Sequence, residues 1–76
     1  MEELDGVILI KPFVNLKVGT KGTIVLKYTK NDFEVEFFDE NHETIDVYTI
    51  TKDYIEVYWK YSEHKDWILL KPSFII

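Results

Sequence analysis

Asp39, Glu40, His42, Glu43 and Asp46 form the densest set of proton- and ligand-bearing side chains in this sequence. Carboxylate oxygens with one imidazole are a donor set for a divalent cation. Asp39 to Glu43 is polar throughout, however, and reads as a hairpin tip. Along the strand that follows, alternate residues point to opposite faces. Such a tip does not converge four ligands, so no metal is expected. A solvated acidic turn accounts for the same residues, and so does an acidic surface facing a basic site on a partner. A second constellation, Ser62, His64 and Asp66, has the members of a nucleophile, base and acid triad. In a strand these would lie about 6–7 Å apart along one face, beyond direct hydrogen-bond reach. With no cysteine in the chain there is no thiolate nucleophile, thiolate metal site or disulfide. Neither catalysis nor a cofactor is expected.

Seven aromatic residues could serve recognition instead: Tyr28, Tyr48, Tyr54, Tyr58, Trp59, Tyr61 and Trp67. They could stack bases or grip a peptide, or they could close the ends of a core. Trp59, Tyr61 and Trp67 are the better interface candidates, because Trp and Tyr are enriched at binding hot spots. Ile24, Leu26, Phe33, Val35 and Phe37 read as core.

The charge balance narrows the partner. Net charge is −5, and all nine basic residues are lysines scattered among carboxylates. Phosphate binding needs a basic cluster, and arginine, the usual fork for bases and phosphates, is absent. Nucleic acid is therefore disfavoured; the acidic surface serves solubility or a basic protein. The N-terminus, Met1-Glu2-Glu3-Leu4-Asp5, is acidic where an export signal needs positive charge. Val7 to Ile10 is far shorter than the roughly 20 apolar residues that span a bilayer, so no membrane association and a cytoplasmic location are expected.

These residues must be positioned by strands. Gly19 and Gly22 stand three apart before the β-branched run Thr23-Ile24-Val25, a tight turn feeding a strand. Phe33-Glu34-Val35-Glu36-Phe37-Phe38 alternates with period two, and Thr29 to Asp32 joins the two strands as a hairpin. Val7 to Ile10 is a first strand, closed by Lys11-Pro12, and Phe13 to Leu16 covers one end of the core. Thr44 to Ile50 carries apolar residues on both faces, which predicts a central strand or a bulge that switches its inward face. Thr51 to Asp53 reads as a turn or one helical turn before a fifth strand from Ile55. No amphipathic helix longer than eight residues is present. At 76 residues the chain is one small domain whose core must be aromatic, as 16% of its residues are.

Gly19-x-x-Gly22-Thr23-Ile24-Val25, Phe33-Glu34-Val35-Glu36-Phe37 and Asp39-Glu40-Asn41-His42-Glu43-Thr44-Ile45 resemble a small bacterial family known only as a domain of unknown function. The resemblance covers about residues 5–57 and implies an SH3-like barrel of about five antiparallel strands, related in outline to KOW domains. Its members often place glycine where His42 stands, which puts Asn41 in the left-handed region of this tip. Residues 1–57 are then the barrel core. Residues 58–76 are a C-terminal extension that adds an edge strand, closes the barrel or forms an interface. Small standalone relatives of this kind also suggest an antitoxin or immunity protein. The expected function is a non-enzymatic protein-binding module that masks a basic toxin surface with Asp39, Glu40, His42, Glu43, Asp46, Trp59, Tyr61 and Trp67. A KOW-like nucleic-acid module and a structural homo-oligomer are the alternatives.

Overall fold

The structure, a computed structural model, describes residues 1–64. Five antiparallel strands form one sheet: β1 (Gly6–Leu9), β2 (Lys21–Lys27), β3 (Asp32–Phe38), β4 (Thr44–Thr51) and β5 (Ile55–Trp59). Their spatial order is β4-β3-β2-β1-β5, so β4 and β5 stand at the two ends. The all-β, five-stranded antiparallel architecture expected from the pattern is present. Short 3₁₀ turns at Lys52–Tyr54 and Tyr61–Glu63 are the helical elements among the described residues.

Strict alternation in β3 produces the core. Phe33, Val35 and Phe37 are fully buried, while Glu34 and Glu36 turn outward. Around them pack Val7, Leu9, Leu16, Ile24, Ile50 and Ile55. Burying each such side chain is worth about 1.5–3 kcal/mol, so this apolar cluster is what holds a small sheet together. Phe13 places its ring edge-on to Tyr48 and Tyr54, with centroids 5.6 and 5.4 Å away, and closes one end with Leu16.

Three bulges decide which side chains face out. In β2 the register with β3 shifts between Ile24 and Leu26, leaving Val25 as an extra residue. Leu26 therefore pairs with Glu34 on the outer face and is 40% exposed, which corrects its expected place in the core. Against β3, β4 shifts beside Phe37 and Phe38, with Ile45 extra. Tyr48 and Ile50 turn inward opposite Val35 and Phe33, whereas Ile45 and Val47 stay exposed. Among the described residues β4 is an end strand, not a central one, and the switch of its inward face is made by the bulge. The third shift, between Gly6 and Val7 against β5, leaves Tyr58 extra.

Gly22 sits where no side chain fits. A Cβ there would meet the Glu36 carbonyl oxygen at 2.7 Å and Val35 Cγ1 at 2.8 Å. Gly19 is different: its surroundings are empty but its φ is +95°, in the left-handed region.

Candidate functional site

One open groove lies on the outer face of the sheet, at the end where the Lys17–Thr20 turn and the β3–β4 tip rise on either side. Its floor is Lys21, Thr23 and Phe38, with Ile45 and Tyr58 at the margins. The first wall is fixed by the turn before β2: the Thr20 hydroxyl donates to the Lys17 carbonyl at 2.7 Å, and Gly19 N–H donates to the Leu9 carbonyl at 2.9 Å.

The opposite wall is the acidic tip. Asp39 Oδ1 accepts the N–H groups of Asn41 and Glu43 at 2.8 and 3.0 Å, while Asp39 N–H donates to the Glu43 carbonyl at 2.9 Å. One oxygen of Asp39 is thus engaged in building the turn. His42 takes the left-handed conformation, with φ +64°, so it carries that geometry itself, not Asn41 as expected. Asp39, Glu40 and His42 line the groove together. Glu43 and Asp46 do not: Glu43 is exposed at the start of the strand, and Asp46 Oδ1 accepts its neighbour Val47 N–H at 2.7 Å. Among the described residues no group of three or more His, Asp or Glu is placed to hold a metal ion.

Tyr58 enters the groove through the β5 bulge. A Cβ on Gly6 would meet Trp59 Cβ and two Tyr58 ring atoms at 3.2 Å, so the Tyr58 ring and the base of Trp59 both lie against a glycine. Lys21 Nζ lies 5.1 Å from the Tyr58 ring centroid, a cation–π pair. Trp59 and Tyr61 form a separate half-buried cluster with His64. The His64 ring stacks on Trp59 at 4.5 Å and its Nδ1 lies 2.7 Å from the Lys60 carbonyl. Asp5, only 5% exposed, accepts Glu2 N–H at 2.9 Å and Tyr61 N–H at 3.0 Å, which ties this cluster to the chain's start. Trp67 and Asp66 lie outside the described residues. Of the other aromatics, Tyr48 and Tyr54 serve the core and Tyr28 is exposed.

Lys21, Tyr58 and Phe38 were not singled out together by sequence because two bulges bring them to one place. A further pattern is visible once the strands are drawn. The β3–β4 hairpin carries Asp32, Glu34, Glu36, Asp39, Glu40, Glu43 and Asp46, and no lysine stands between Lys30 and Lys52. The remainder of the chain has more lysines than carboxylates, so the net negative charge resides on this hairpin.

Among the described residues no helix is long and apolar enough to cross a membrane. Neither a curated protein nor a solved structure matches the chain. One family pattern does, over residues 3–57, which takes in β1 to β4 and β5 as far as its bulge. The chain belongs to the family described as Domain of unknown function (DUF4926).

Proposed function

We propose that this chain is a non-enzymatic binding module for a basic protein partner, which it meets with the β3–β4 hairpin and the groove beside it. The observation that carries the reading is the segregation of charge: seven carboxylates and no lysine from Asp32 to Thr51. Such a one-sided field orients a basic partner before contact and speeds association by about 10–10³-fold. Apolar surface from Val18, Ile45 and Tyr58 beside the acidic tip supplies the short-range contact that charge alone does not. In its sharper form the reading makes the chain a cytoplasmic antitoxin or immunity protein whose partner is a toxin with a basic surface.

The test uses the full chain and a Glu40→Lys, Glu43→Lys variant as parallel baits in the native cell lysate. Neither side chain is used in the turn, so the tip keeps the hydrogen bonds made by Asp39. A stoichiometric basic protein should be held by the full chain, released by raised salt, and lost from the variant. Equal capture by both baits, or recovery of nucleic acid in place of protein, overturns the reading.

A further inference from the structure

We infer that the free edge of β4 is a strand acceptor: an extended segment of the basic partner, with lysine or arginine at alternate positions, adds beside it as a sixth strand. This rests on the reading of the partner as a basic protein and names how it is held.

Four observations lead there. Among the described residues β4 is at the end of the strand order and pairs with β3 alone, so there a strand eight residues long has one side unused. Lys52 N–H donates to the Asn31 carbonyl in register with the β3–β4 pairs, so by the period of the ladder Tyr48 and Ile50 aim their N–H groups at β3 and Val47 aims its own at the open side, where Asp46 Oδ1 accepts it. By the period of the ladder, Thr49 faces the same way. Proteins blunt such edges with lysine or proline, and Thr44 to Thr51 contains neither. Finally, Ile45 and Val47 are 43% and 42% exposed there, flanked by the outward carboxylates Glu34 and Glu36 of β3.

Charge selects the occupant. A second copy of this chain would set the same seven carboxylates against one another, and like charges across strands are destabilising. A basic strand meets them with opposite sign. On its arrival Val47 N–H passes from Asp46 to a carbonyl of the incoming backbone, and the released Asp46 carboxylate turns to a basic side chain. Main-chain bonds supply the affinity and alternate side chains the selectivity.

The probe is a capped octapeptide of alternating lysine and valine, titrated into the full chain and followed by amide NMR and hydrogen exchange. Two isomers, N-methylated on one or the other alternate set of residues, accompany it. Exchange at Val47 and Thr49 should slow by about tenfold or more on saturation, as for amides newly placed in a ladder. One methylated isomer should bind like the parent and the other should fail. Val47→Pro, which deletes a donor that β3 does not use, should keep the circular dichroism spectrum and lose the peptide. Binding that shifts the Glu40–Glu43 amides while Val47 and Thr49 stay unprotected overturns the strand acceptor and leaves the basic-partner reading standing. Equal binding of both isomers, or no binding of the parent peptide, also overturns it. Protection of Val47 and Thr49 that rises with protein concentration in the absence of peptide assigns the edge to a second copy instead.

Discussion

Gly22→Ala tests the packing of this sheet at its tightest point. The added methyl would lie 2.7 Å from the Glu36 carbonyl oxygen, 2.8 Å from Val35 Cγ1 and 3.0 Å from Phe37 Cδ1. The first contact is backbone in the β2–β3 ladder and cannot retreat without breaking pairing. The other two belong to fully buried side chains. Overpacking of this kind costs about 2–3 kcal/mol. A chain of 76 residues has a total stability of about 4–11 kcal/mol, so the loss is a large share. At about 4–8 °C per kcal/mol for a domain of this size, Tm should fall by about 8–24 °C. Gly19→Ala is the control, since nothing lies within 4 Å and only its φ of +95° resists a side chain. It should cost about 1 kcal/mol, the low end for an alanine held left-handed. Thermal melts by far-ultraviolet circular dichroism rank the two. A Gly22→Ala protein melting within 3 °C of the parent, or melting above Gly19→Ala, would refute the account of why this position is glycine.

The β2 bulge is tested by a pair of truncations: Ile24→Ala should cost about 2–5 kcal/mol and Leu26→Ala about 1 kcal/mol or less, measured by urea denaturation. Similar losses would mean that Leu26 faces the core and the bulge is misplaced. In acid, two exposed carboxyls matter. The Thr51 hydroxyl donating to Asp53, and Lys27 bonding and attracting Glu2, hold both below their ordinary values of 3.8 and 4.5. Groups lowered on folding stabilise fully above the unfolded value and lose that contribution as pH falls through the folded one. Melting temperature should therefore decline more steeply below about pH 4.5 in the parent than in a Thr51→Val, Lys27→Met double variant; parallel declines refute the assignment.

Much of the fold was legible because it is written in local pattern. The alternation of Phe33 to Phe38 stands where the pattern puts it, and Gly19 marks the turn with its positive φ, but Gly22, expected in that turn, lies inside β2 paired with Val7 and Phe37. The inward face of β4 was not legible. Apolar residues occupy both of its sides, and a bulge opposite Phe37 and Phe38, set by tertiary pairing, chooses between them. Leu26 misleads for the same reason: one extra residue in a strand reverses every side chain beyond it. The acidic tip was readable as a turn, but that one Asp39 oxygen serves the turn, and that His42 adopts a positive φ, depends on hydrogen bonds between residues two to four apart that no charge count displays. Tyr58 joins the groove only because Gly6, fifty-two positions earlier, leaves room for it.

The buried carboxylate of Asp5 has a consequence for where this domain can be cut. It holds Glu2 on one side and Tyr61 on the other, and Tyr61 lies beyond the family's matched stretch, which ends at residue 57. A truncated protein ending at Val57 would strip two aromatics from Gly6 and leave one oxygen of a shielded anion without its donor, a penalty of about 1–3 kcal/mol. The matched stretch thus stops short of the residues that Asp5 and Gly6 hold in place. Recombinant boundaries drawn at the match would yield a protein open to proteolysis from its own unpinned end. Any loss of binding seen with such a fragment would report damaged folding before it reported a missing contact.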